Sequence, residues 1–122
     1  MSPGRSRQRL QEEIQRELAA IVEFESRDPV VLAAFPTVMD VRLSSDARYA
    51  KVYVAAGADV DRDELLAALG RDKGFYRSEL AHRLALRHTP DLRFAVDETV
   101  ERALRLGQLL RDDDNELAEA AD

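Results

Sequence analysis

Apolar residues recur every three or four positions between Arg5 and Glu25. Leu10, Ile14, Leu18, Ile21 and Val22 would share one face of a helix. Arg27-Asp28-Pro29 ends it, because proline disfavours helical geometry at the residue before it. Val30 to Phe35 is apolar and reads as a short turn packed under a sheet. The period then drops to two. Met39, Val41 and Leu43 alternate with Asp40, Arg42 and Ser44, and Ala50, Val52 and Val54 with Lys51 and Tyr53. That is the pattern of half-buried strands, with Ser44 to Arg48 as the hairpin loop between them.

Beyond a loop at Ala56 to Val60, Asp61 or Asp63 can cap a helix whose apolar face is Leu65, Leu66 and Leu69. Gly74 interrupts the pattern that follows. Glycine inside a helix costs about 1 kcal/mol against alanine, so the sequence predicts a kink or a close approach there. A second helix is expected from Lys73 to Arg87. At 100° per residue, Lys73, Arg77, Arg83 and Arg87 fall within roughly a third of its circumference. Tyr76, Leu80 and Leu84 share that arc, while Phe75 and Leu86 lie opposite, so the wheel does not say which side faces the sheet. Pro90 stops the helix. Leu92, Phe94 and Val96 make a third strand, and Asp97 caps a last helix carrying Val100, Leu104 and Leu110. Two strands in a hairpin, and a third delivered by helices, make an α+β layer: one small sheet with helices on one face.

A chain of 122 residues, 45 % apolar, is one domain with a real core. It has no cysteine, which removes disulfides, thiolate metal sites and a thiol nucleophile. Met1 to Leu10 is polar and basic, so a signal peptide is not expected. No apolar run approaches the roughly 20 residues a bilayer span needs, and a cytoplasmic protein without a membrane partner is expected. The net charge of −6 speaks at first against a polyanionic partner. Its distribution reverses that reading. Asp112, Asp113, Asp114, Glu116, Glu119 and Asp122 form an acidic tail without a base, expected to be disordered. Without those six, 18 acids face 18 bases, so residues 1–111 are neutral. Arg71 to Arg93 holds six bases against three acids. Local sign, more than total charge, decides where a polyanion lands.

Signs of catalysis are few. Asp59, Asp61 and Asp63 imitate the start of a calcium loop, but Glu64 stands where its glycine is needed and Gly70 where its glutamate would close it. A helix cap explains them better. His82 and His88 are six apart and would not share a helix face, so a metal pair is not expected. His82 reads as a partly buried helix residue and His88 as a cation at a helix end. Gly70 and Gly74 form neither a GxGxxG nor a P-loop. An enzyme, a metal, a cofactor and a small-molecule substrate are all unexpected.

The residues resemble ribosome-binding factor A, a bacterial small-subunit assembly factor, over roughly residues 7–110. The series runs from Arg9 and Arg27-Asp28-Pro29 through Val38-Met39-Asp40-Val41, Ser45-Asp46 and Ala50-Lys51-Val52-Tyr53-Val54. It continues with Gly74-Phe75-Tyr76-Arg77-Ser78-Glu79-Leu80, Leu86-Arg87, Thr89-Pro90-Asp91-Leu92-Arg93-Phe94 and Asp97-Glu98. The resemblance implies a type II KH-like fold in residues 1–111, with a helix-kink-helix in place of the GxxG loop. The family's Ala-x-Gly kink would fall on Asp72-Lys73-Gly74, where aspartate replaces alanine and weakens contact of the turn with phosphate. It further implies binding to the free small (30S) subunit and 16S rRNA, a role in late maturation and rRNA processing, support of growth in the cold, and a monomer that catalyses no reaction.

Phosphate contacts would then come from Arg77, Arg83 and Arg87 on one track, with Arg71 and Lys73 beside the kink. Arg7 and Arg9 form a second site, and Arg48 and Lys51 at the hairpin a third. Bland alternatives exist for several. Arg9 can pair with Glu12 or Glu13, Arg77 with Asp72 or near Glu79, and Arg87 can serve the helix C-terminus. The competing reading is a protein-interaction module using Tyr49, Tyr53 or the first helix, with RNA contact incidental.

Overall fold

A computed structural model describes residues 6–97. Helix α1 spans Arg7–Glu25 and starts at Ser6, whose Oγ accepts the Arg9 amide hydrogen at 3.1 Å. Ile14, Leu18, Ile21 and Val22 form its buried stripe, as the spacing requires. The apolar run after it is not a turn but a short helix, α2, Pro29–Ala34. Asp28 caps it by accepting the Val30 amide hydrogen, and Pro29 occupies the first turn, where its missing N–H costs nothing. Phe35 closes α2 in the left-handed region, at φ 49°.

Strands β1 (Thr37–Leu43) and β2 (Tyr49–Ala55) pair antiparallel. A bulge between Val38 and Asp40 shifts the register. It turns Val38 into the core and leaves Met39 exposed, against the inward position expected for Met39. Val41 and Leu43 do point inward. Strand β3, Asp91–Val96, lies parallel to β2, so the order is β1-β2-β3 with β2 central. A parallel neighbour requires a crossover, and α3, Arg62–Leu84, supplies it. Asp61 caps this helix, accepting the Glu64 amide hydrogen at 3.0 Å.

The helix pair expected around Gly74 is one element: helical hydrogen bonding runs unbroken from Arg62 to Leu84. Gly74 is exposed, and a Cβ there would meet nothing within 4 Å, so no close approach requires it. The helix also stops short of Arg87. Ala85 takes the left-handed conformation at φ 51° and returns its N–H to the Ala81 carbonyl.

Helix α1 packs on β1, α3 on β3, and the two helices on each other. The wheel ambiguity of α3 resolves toward Leu65, Ala68, Leu69, Tyr76 and Leu80, all fully buried. Ala50, Val52 and Val54 of the central strand meet them, also without exposure. Each large side chain buried this way contributes about 1.5–3 kcal/mol. Among the described residues no helix covers the opposite face of the sheet, as the helices-on-one-face expectation requires. The last helix expected after Asp97, the basic start before Ser6 and the acidic tail lie outside the described residues.

Candidate nucleic-acid interface

The nine predicted basic residues do not form one surface. Arg83 lies seven residues beyond Tyr76, within roughly 20° of it on the helix wheel, and so sits on the side of α3 that faces α1, at the exposed end of that seam. There it meets Glu17 at 3.6 Å, Glu79 at 3.4 Å and Glu25 in closer contact. Three carboxylates more than neutralise one guanidinium. Arg71 is taken by Asp28, at 2.7 Å. That hydrogen bond is the main reason the Asp28 carboxyl is held below its ordinary range. Arg9 pairs with Glu13 one helical turn on, the bland alternative for that residue. The single track through Arg77, Arg83 and Arg87 is therefore not present: Arg83, though exposed, is neutralised by glutamates, and Arg87 lies beyond the helix end.

What the chain does bring together is a different set. The start of α1, the hairpin loop, the end of α3 and the segment leading to β3 enclose an open groove of about 1140 Å³. Arg7, Arg48, Arg77, Arg87 and His88 line it, against Asp46 and Asp91. In sequence the four arginines belong to three separate sites. Local bonding explains their convergence. The Asp91 amide donates to the Arg48 carbonyl at 2.8 Å, joining the hairpin to the start of β3. Arg77 donates from Nε to the Pro90 carbonyl at 3.1 Å and from Nη2 to the Thr89 carbonyl at 3.0 Å. It thereby fixes the path from Ala85 to β3 without losing its charge to a carboxylate. Arg7 Nη1 donates to the Leu43 carbonyl at 3.3 Å.

Both groove acids are already engaged. Asp46 is held below the ordinary carboxylate range by hydrogen bonds from the Ser44 hydroxyl and the Arg48 amide. Asp91 is held low chiefly by Lys73, whose ammonium lies 3.0 Å away. Among the described residues, no carboxylate pairs with Arg7, Arg77 or Arg87. The groove thus keeps an excess of positive charge on a chain whose total is −6.

Asp72 does not oppose this. Its carboxylate turns inward and accepts the amide hydrogens of Arg27 and Asp28, at 2.9 and 3.0 Å. It ties the α1–α2 corner to α3, and its charge faces those amides, not a ligand on the helix surface. Ser26 Oγ and Tyr76 Oη, 2.6 Å apart, extend the same buried network. Burial is the main cause that pushes the Tyr76 hydroxyl up to about 12.

Lys51 stands apart from the groove, on the open face of the sheet. Three residues of interest escape the sequence pattern. His88 reads as a helix-end residue, but the helix stops four residues earlier. Arg42 and Arg93 flank Lys51 only through the strand register. His82, expected partly buried, is exposed. No group of three or more His, Asp or Glu among the described residues could hold a metal ion, and no described helix is long and apolar enough to cross a membrane.

A family model described as ribosome-binding factor A matches residues 6–110. Ribosome-binding factor A of Thermodesulfovibrio yellowstonii is 39 % identical over 112 residues, covering 92 % of this chain and 93 % of that protein. The crystal structure of ribosome-binding factor A from Thermus thermophilus is similar at a TM-score of 0.64 and 32 % identity, over 75 % of this chain and 94 % of that one. Coordinates of the Thermus thermophilus factor fitted into the cryo-electron microscopy map of a 30S complex are similar at a TM-score of 0.59 and 33 % identity, over 71 % and 90 %. The α+β arrangement is the KH-like one that the ordered series of residues implied. With the match extending from the cap of α1 past the end of β3, the chain belongs to the ribosome-binding factor A family.

Proposed function

We propose that this chain binds the free small (30S) ribosomal subunit through its 16S rRNA and assists late maturation and rRNA processing, as a monomer and without catalysing a reaction. The observation that carries the reading is the groove. Arg7, Arg77 and Arg87 converge there from α1, α3 and the segment after α3, and none of them forms an ion pair with a carboxylate among the described residues. Guanidinium groups in that state bind phosphate oxygens and release counterions. Arg77 is held by two carbonyls, so it meets a ligand with little further loss of side-chain entropy. The 30S complex of the Thermus thermophilus factor supports the choice of partner. Support of growth in the cold follows from the same family reading.

A protein interface has one observation in its favour. Phe24, Leu32 and Phe35 are 77, 54 and 65 % exposed near the α1–α2 corner. Salt separates the two readings. Co-sedimentation with purified small subunits should weaken steeply as salt rises, whereas an apolar contact would barely respond. In the double variant Arg7→Gln/Arg87→Gln, affinity should fall and the slope of log affinity against log salt should flatten by roughly 1.4–1.8, at 0.7–0.9 per phosphate contact. Unchanged affinity and slope in the folded variant would overturn the groove as the contact surface. Equal sedimentation with assembled ribosomes would overturn the preference for free subunits.

A further inference from the structure

The open face of the sheet carries a second arrangement that the groove does not use. Register places Arg42 of β1, Lys51 of β2 and Arg93 of β3 in one row across the three strands. Neighbouring strands lie about 4.8 Å apart, so the row sets three cations side by side. Tyr49 and Tyr53 stand two residues to either side of Lys51 on the same face of β2. Tyr49 is 41 % exposed. The Arg93 guanidinium lies 3.9 Å from the centre of the Tyr49 ring, and the Lys51 ammonium 5.3 Å from that of Tyr53. Neither cation has a carboxylate partner among the described residues. The acids nearby are spoken for: Asp40 holds Arg42 at 2.8 Å, and Asp91 pairs with Lys73.

We propose that this face is a platform for single-stranded nucleic acid, in which unpaired bases stack on Tyr53 and on the Arg93–Tyr49 pair while Lys51 meets the backbone. The occupant follows from the chemistry. Flat π-faces interleaved with unneutralised cations suit a chain that offers bases and phosphates alternately. A duplex buries its bases and would use only the charges. Tyr49 also lines the groove, so the platform continues into it, and a strand leaving a helix held in the groove would run onto the sheet. The inference rests on the reading above only in taking the ligand to be nucleic acid.

The test uses the full chain and an unstructured RNA of roughly 12 nucleotides, labelled at one end, beside the same strand in a duplex. Tyr53→Leu/Lys51→Gln lies clear of the groove. It should lower single-strand affinity at least about tenfold and lower duplex affinity far less, by no more than the one lost charge. Backbone amide signals of β2 and β3 should shift in the wild-type protein when the single strand is added. If Tyr53→Leu/Lys51→Gln fails to fold, Arg93→Gln, which changes an exposed side chain, should flatten the single-strand salt slope by roughly 0.7. The platform is overturned if folded variants bind the single strand as tightly as wild type, or if the amide shifts are confined to groove residues. It is equally overturned if the wild type binds no single strand while still binding small subunits, or if ribosomal proteins but not RNA shift β2 and β3. In each case the groove reading is left intact. Loss of subunit binding in Arg7→Gln/Arg87→Gln is a separate result and does not touch the platform.

Discussion

Arg77 and Arg83 leave the same helix six residues apart and meet opposite chemistry. Arg83 faces α1 and finds Glu17 and Glu25 there, with Glu79 one turn back on its own helix. Arg77 faces the segment before β3 and finds two carbonyl oxygens. A carbonyl accepts the hydrogen bond and leaves the charge in place, whereas a carboxylate cancels it. Whether a basic residue can serve a polyanion is therefore decided by the element across from it. Helical position alone, which put both on one arc, says little.

The pair of variants Arg77→Ala and Arg83→Gln tests this most directly and should give the largest effects. Arg77→Ala removes two charge-assisted hydrogen bonds, which should cost about 1.5–3 kcal/mol in chemical denaturation and weaken small-subunit binding. Arg77→Lys should recover part of the binding, through its charge, but little of the stability, since it lacks the fork. Arg83→Gln should leave binding unchanged while lowering the melting temperature, with the loss shrinking as salt is added. A loss of affinity in Arg83→Gln as large as in Arg77→Ala would break the distinction.

A smaller effect separates the regions by their response to pH. The seam between α1 and α3 contains Tyr76, with a folded-state pKa of about 12 against an ordinary 10. The folded state holds that proton where the unfolded chain releases it. Tyr76 therefore adds stability that is complete below pH 10 and is lost as pH rises toward about 12. Tyr76→Phe should be somewhat less stable near neutrality, by about 1 kcal/mol for its hydrogen bond, and should lack that alkaline decline. A pH titration of thermal stability would read both. An identical alkaline limb in Tyr76→Phe would show that the hydroxyl is not the titrating group.

The smallest effect has the opposite sign. Gly74 lies in an unbroken helix with open space at its Cβ position, so Gly74→Ala should raise stability by up to about 1 kcal/mol. Helix propensity acts on neither the groove nor the seam, and the Arg77 and Arg83 contrast should persist in the Gly74→Ala background. A loss of stability on calorimetry would mean that the glycine is required after all.

Much of the architecture was legible because it depends on period. The stripe of α1, the alternation of β2 and the cap at Asp61 stand where the pattern put them. The failures were contacts between segments distant in sequence. Met39 fits the alternation of β1, but a bulge moves it out. Gly74 has the propensity of a helix breaker, yet packing of Leu69, Tyr76 and Leu80 on either side carries the helix through it. Asp72 reads as an acid at an exposed turn, and only the α1–α2 corner folding over it supplies the two amides that it accepts. At the candidate interface, the groove was invisible for the same reason. Arg7, Arg48, Arg77 and Arg87 are widely spaced in sequence, and the bond from Asp91 to Arg48 that gathers them crosses the parallel pair.

That parallel pairing also governs the order in which the molecule can assemble. The hairpin of β1 and β2 closes across a five-residue loop, a fast local event. The other edge of β2 must wait for Asp91–Val96, which arrives only after the whole of α3. As the chain is synthesised from its N-terminus, the central strand therefore spends the interval with a bare row of amide and carbonyl groups and apolar Val52 and Val54 beside it. An unpaired edge of that kind recruits other strands. Arg77, by clasping the Thr89 and Pro90 carbonyls, holds the segment that leads into β3 once that strand has paired and the exposure has ended.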